Sequence, residues 1–206
     1  PACDVSVRRY WEDDEYFITI SGRMKQTVLF GEKLELYRTI TVKLGENKIN
    51  IHDEVVNNGF SREVLMLLYH MNFGYPLIDD GTILETNAEN LRARDDEAQK
   101  GICNAHQFCA PQHEYKEQVF YHDSVENSYA KIVNEKLGII CEISYDSENL
   151  PFLIEWKQMG EGDYVLGVEP GTNPPEGRKA EREKGRLKYI EAGERKQFDL
   201  TIKFGE

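Results

Sequence analysis

His70 and Asn72 stand two positions apart in Leu67-Leu68-Tyr69-His70-Met71-Asn72-Phe73-Gly74-Tyr75-Pro76. Side chains two apart on an extended strand share a face, so an imidazole and a carboxamide project side by side. Gly74 and Pro76 stop the strand and place the pair near a sheet end, where sites are commonly built. Imidazole is the side chain suited to moving protons near neutral pH; the plain alternative is a satisfied core or surface histidine. Glu169 is the second candidate. It follows the apolar run Tyr164-Val165-Leu166-Gly167-Val168 and precedes Pro170. A carboxylate at the end of a buried strand sits where its surroundings can raise its pKa toward that of a neutral-pH general base or acid. The alternative is a solvated glutamate paired with Arg178 or Arg182.

Further candidates are weaker. His122, followed by Asp123, closes a strand. Trp156 and Lys157 end the run Leu153-Ile154-Glu155-Trp156-Lys157. An indole offers a flat face to a sugar ring, although tryptophan is also a good core residue. His52 suits a structural role, and His106 and His113 lie in loops. Cys103 and Cys109 bracket His106, but zinc ligands are normally spaced more tightly and come with a second ligand pair, so no metal is expected. Cys3, Cys103, Cys109 and Cys141 form no CxxC pair and read as reduced thiols of a cytosolic, cytoplasmic protein.

Several chemistries have no support. Neither GxGxxG nor GxxxxGK[ST] occurs, nor GxSxG, nor HExxH. Dinucleotide cofactors, ATP and serine hydrolysis are therefore set aside, and no cofactor is expected. The formal net charge of −12 argues against nucleic acid and anionic membrane as partners. No 18-residue apolar run exists, so no transmembrane helix is expected, and no signal peptide is visible. A small-molecule ligand remains, and a homodimer is compatible with the sequence. Pro1 opens straight into a strand-like run, which reads as a cut through a structured region.

The elements that must position these residues are strands. Val5–Tyr10, Tyr16–Ser21, Leu34–Leu44, Lys48–Val56 and Val64–Asn72 alternate or run apolar between turns such as Gly45-Glu46-Asn47 and Asn57-Asn58-Gly59. Strands resume at 117–122, 129–134, 137–145, 152–158, 164–169, 186–190 and 196–204. Asn87–Gln99 is the best helix candidate, and a charged segment spans 178–185. This rhythm predicts an antiparallel all-β fold of two large packed sheets, with residues 1–206 as one domain.

Four stretches together resemble the aldose 1-epimerase (galactose mutarotase) superfamily, closest to a bacterial branch known only as a domain of unknown function. They are Leu68–Pro76, Leu150-Pro151-Phe152 with Trp156-Lys157, Val168–Asn173, and Gly185-Arg186-Leu187 with Ala192-Gly193-Glu194. The resemblance implies a galactose mutarotase-like β-supersandwich with a sugar in an open cleft, and an isomerase of carbohydrate metabolism. It implies that His70 is the general acid and Glu169 the general base, on opposite sides of one sugar, interconverting anomers by ring opening without metal or cofactor. It also implies Asn72 on a sugar hydroxyl, Arg178 on a polar or anionic substituent, and Trp156, Lys157 and His122 among the substrate-binding residues. Well-studied members carry a second active-site histidine in an upstream His-Gly step. That region would lie before Pro1, so the resemblance implies that the family's N-terminal strands are absent here. A non-catalytic carbohydrate-binding or regulatory module on the same scaffold is the competing reading. A domain of a polysaccharide-processing enzyme is a third.

Overall fold

Alternating and β-branched residues build four consecutive strands at the start of the chain: β1 (Cys3–Glu12), β2 (Glu15–Thr27), β3 (Lys33–Lys43) and β4 (Lys48–Asn57). Each pairs antiparallel with the next. The β3–β4 turn uses Gly45 at φ 85°, a left-handed position that costs glycine least. This computed structural model describes residues 1–206. After β4 come the short strands β5 (Glu63–Val64), β6 (Met71–Gly74), β7 (Ile83–Thr86) and β8 (Glu89–Ala93), then helix α1 (Asp96–Gly101). Next are β9 (Gln118–Asp123), β10 (Tyr129–Asn134), β11 (Ile139–Tyr145), β12 (Phe152–Gly160) and β13 (Asp163–Gly171). Helix α2 (Arg178–Glu183), β14 (Tyr189–Ile190) and β15 (Arg195–Gly205) complete the chain.

The strands form two large sheets, as the pattern predicts. One has eight strands in the order β1-β2-β3-β4-β15-β11-β10-β7; the other has five, β6-β13-β12-β9-β8. Every strand pairing within them is antiparallel. The core lies between them. Ile132, Cys141, Ile143, Phe198 and Leu200 from the large sheet meet Leu153, Met159, Leu166 and Val168 from the smaller one. Each such fully buried aliphatic side chain contributes about 1.5–3 kcal/mol by leaving water. β1 and β2 contain no buried residue, so the large sheet overhangs the small one at that end.

Two expectations change. The helix expected over 87–99 is β8 for its first half. Pairing of Arg92 with Tyr121 and Ala93 with Phe120 overrides local propensity there. The helix starts only after Asp95, whose carboxylate caps it by accepting from the Ala98 N–H. The continuous strand expected over 64–72 divides into β5 and β6. Between them the backbone crosses from one partner to another. Leu65 N–H donates to the Lys188 carbonyl, Leu67 N–H to Thr172 Oγ1, and Tyr69 N–H to the Pro170 carbonyl.

The five-stranded sheet matters most for function, because strand alternation splits its side chains between two faces. On β12, Leu153, Glu155, Lys157 and Met159 point inward, where Leu153 and Met159 join the main core. Phe152, Ile154 and Trp156 point outward and pack with Val119, Tyr121 and Leu68.

Candidate active site

The register of β6 and β13 decides the site. Met71 opposes Val168 and Asn72 opposes Gly167, and the isolated bridge between Leu68 and Gly171 keeps the same register further along. His70, just ahead of β6, therefore stands across from Glu169 on the outer face. Its Nε2 lies 2.9 Å from Glu169 Oε1. The contact is close but is not an aligned hydrogen bond, because Oε1 accepts no hydrogen bond from any protein group. The His70 side chain is 47% exposed, whereas that of Glu169 is 4% exposed. The two side chains thus touch directly. The resemblance implies groups on opposite sides of a sugar; here the two side chains are in direct contact.

Burial pushes the Glu169 carboxyl up from its ordinary 4.5 to about 7, and the neighbouring His70 pulls it back down in part. Gly167 makes room for that carboxylate. A Cβ there would lie 2.4 Å from Glu169 Oε1 and 3.1 Å from Trp156 Cβ. Trp156 opposes Gly167 on the β12 side. Its ring meets His70 edge-on, with centroids 5.5 Å apart and planes at 66°. The indole N–H donates to Glu117 Oε2 at 2.8 Å, and Glu117 also receives Arg94 at 2.9 Å. Asn72, on the other side of Gly167, is exposed. Across the strands the row continues from Glu169 through Ile154 to Tyr121, whose hydroxyl is buried without a protein partner.

The segment carrying His70 is anchored one residue earlier. The buried Tyr69 hydroxyl donates to Asp53 Oδ2 at 2.6 Å, and Asp53, fully buried on β4, also receives Arg38 through Nε and Nη2 at 2.8 and 2.6 Å. Arg38 in turn lies over the Tyr69 ring, 5.6 Å from its centroid. The far side of the site is held by Thr172, whose N–H donates to the Leu67 carbonyl. This arrangement offers a proton acceptor, a proton donor beside it, an aromatic wall and an exposed carboxamide.

The sequence model of a family described as DUF4432, a domain of unknown function, matches residues 1–204. The chain belongs to the DUF4432 family. No curated protein matches it. Among solved structures, a candidate aldose 1-epimerase from Klebsiella pneumoniae superposes with a TM-score of 0.93 at 28% identity, covering 99% of this chain and 54% of that one. A galactose mutarotase-like protein from Clostridium acetobutylicum superposes with a TM-score of 0.64 at 14% identity, covering 98% and 66%. An Escherichia coli protein described as a candidate aldose 1-epimerase gives 0.65 at 12% identity, covering 97% and 68%. The fold is therefore the galactose mutarotase-like sandwich, and this DUF4432 chain spans about half the length of the Klebsiella protein.

Within this DUF4432 chain, His70, Asn72, Trp156 and Glu169 come together on the outer face. His122 and Lys157 do not. His122 opposes Leu153 and is buried on the inner face, and Lys157, two residues after Glu155, shares that face. Strand alternation is the reason: each sits one residue away from the outward phase of its strand. Arg178 also lies elsewhere. It begins α2, lines a groove with Leu34, Leu65 and Leu67, and comes 3.8 Å from Glu32. Sequence reasoning missed Gly167 and Tyr121. A glycine two residues before a candidate glutamate, in an otherwise bulky strand, was the available signal for the first. No residue-level signal marked the second.

Proposed function

We propose that this chain supplies an acid/base pair for anomer interconversion of a sugar, the chemistry of an aldose 1-epimerase. The observation that carries the reading is the His70–Glu169 contact, with the carboxyl raised to about 7 beneath an exposed imidazole. The ring oxygen and the anomeric hydroxyl hang on one carbon, so the two protons to be moved lie close together. Adjacent acid and base groups serve them as well as groups on opposite sides. The Glu169 carboxylate takes the proton of the anomeric hydroxyl. The C1–O5 bond breaks as O5 takes a proton from His70 Nε2, giving the open-chain aldehyde. Rotation about C1–C2 and closure on the other face return both protons. Trp156 offers its face to the sugar and Asn72 a hydrogen bond to a hydroxyl.

The names of the structural neighbours, aldose 1-epimerase and galactose mutarotase-like, support a small sugar as ligand. A second reading, sugar binding without turnover, draws on the depth of Glu169, which leaves only 4% of its side chain open. Exchange NMR on a panel of aldoses with the full protein separates the two. Catalysed exchange of at least one sugar, abolished in Glu169→Gln, upholds the enzyme. Binding with exchange at the uncatalysed rate upholds the module.

A further inference from the structure

We propose that His106, His122 and Glu155 form a divalent-metal site, with zinc as the ion their spacing fits, on the inner face of the five-stranded sheet. Glu155 opposes Phe120 and His122 opposes Leu153, so both point away from His70 and Glu169. His106 arrives from the loop that follows α1. Its Nε2 lies 3.5 Å from Glu155 Oε2, and the Nε2 of His122 lies 3.4 Å from the same oxygen. The two rings stack with centroids 5.3 Å apart and planes at 25°. All three candidate ligand atoms lie within 4.8 Å of one another.

Both nitrogen–oxygen distances sit at or beyond the long limit of an N–H···O hydrogen bond. Glu155 Oε1 and His106 Nε2 are buried with no protein partner at all. The Glu155 side chain is wholly withdrawn from water. Its one recorded hydrogen-bond partner is His122 Nε2, at a long 3.4 Å on Oε2, and Oε1 has none. A buried carboxylate so poorly served is strongly disfavoured unless a cation meets it. Lys157, the nearest ammonium on this face, does not supply the donors. Its three N–H bonds are spent on the carbonyls of Asn104, Ala105 and Gln107, at 2.8, 3.2 and 2.5 Å. Those same bonds pin the loop that presents His106, which is how outer-shell groups preset a metal ligand.

The spacing selects the geometry. Ligand atoms roughly 2.0–2.2 Å from a tetrahedral zinc stand about 3.3–3.6 Å from one another. The two histidine-to-glutamate distances match this without movement. The two histidine nitrogens lie within 4.8 Å of each other, and His106, which sits on a loop rather than a strand, can adjust to complete the triangle. Two imidazoles and one carboxylate are a borderline nitrogen/oxygen donor set suited to a divalent transition metal, and they leave a fourth position for another ligand. The site lies just beneath the surface, since the His106 side chain is 35% exposed while its Nε2 is buried.

The test uses the full protein, stripped with a chelator and reloaded with Zn²⁺ or Co²⁺. Expected are one Zn²⁺ per chain by mass spectrometry of the metal, and a Tm raised by several degrees on loading. Co²⁺ should give the intense visible bands of a tetrahedral site. His106→Ala, a change in a half-exposed loop residue, should keep the native circular dichroism and weaken Zn²⁺ binding by about 100-fold or more. Glu155→Gln should do the same if it folds. Another divalent ion held at one per chain and lost in His106→Ala also upholds the site. A small fraction of an ion per chain with an unmoved Tm, or binding unchanged in His106→Ala, overturns it and leaves a proton-sharing cluster.

Discussion

His70 and Glu169 are cross-strand neighbours even though His70 lies outside the strand that pairs with β13. The register that opposes Met71 to Val168 runs on through the Leu68–Gly171 bridge, and the side chains meet at 2.9 Å. Two residues ninety-nine positions apart are thus held by backbone pairing on both sides of them. A site built this way is preset by the sheet, so truncating one side chain should change chemistry before it changes fold.

Glu169→Gln keeps size and loses the proton acceptor. With a sugar that the full protein turns over, kcat should fall by about 100-fold or more while KM changes little. Exchange NMR at saturating sugar measures both. Retained kcat would remove Glu169 as the base.

The raised carboxyl also has a stability signature. Its folded pKa of about 7 lies above the ordinary 4.5. Between those values the native state binds more protons than the unfolded state, so stability falls as pH rises through that window. The full penalty, up to about 3 kcal/mol, is present above pH 7 and absent below pH 4.5. Glu169→Gln cannot ionise and should gain on the wild type as pH climbs. Urea unfolding at pH 5 and pH 8 reads this directly: the variant-minus-wild-type difference should grow toward the higher pH. A difference that is flat with pH would mean that the carboxyl is not held up by burial.

Gly167→Ala tests the space beneath the dyad. The new methyl would fall 2.4 Å from Glu169 Oε1, so the carboxylate must move. Glycine-to-alanine changes in strands otherwise cost little, since alanine adds no conformational freedom that glycine lacks. The expected outcome is a folded protein with kcat reduced about tenfold or more and the His70 imidazole resonances shifted. Wild-type kinetics would show that the carboxylate position is not critical.

Strand alternation made the two sheets and most strand positions legible, and strand-end placement singled out His70 and Glu169. What alternation could not show is phase. His122, Lys157 and Glu155 sit in buried runs where both faces are apolar, so the side facing the site and the side facing the core look alike in sequence. The 87–99 segment failed for another reason. Its polar, helix-compatible composition is overridden by pairing with β9, a partner more than twenty residues away. The direct contact between His70 and Glu169 was equally out of reach of alternation, because a register is a property of two segments and neither one alone encodes it.

Tyr69→Phe addresses the anchor rather than the chemistry. The phenol donates one of three hydrogen bonds to a fully buried Asp53 and ties β4 to the residue before His70. Removing the hydroxyl leaves Arg38 on both Asp53 oxygens, so the carboxylate keeps its countercharge and loses one donor. That should cost about 1–3 kcal/mol in urea unfolding. The Tyr69 N–H still donates to the Pro170 carbonyl, which keeps His70 across from Glu169. Kinetic constants should therefore stay within about threefold of wild type when assayed well below the unfolding transition. A kcat loss as large as that of Glu169→Gln would mean that the hydroxyl helps position His70 directly. Unchanged stability would mean that water replaces the phenol at Asp53 without loss.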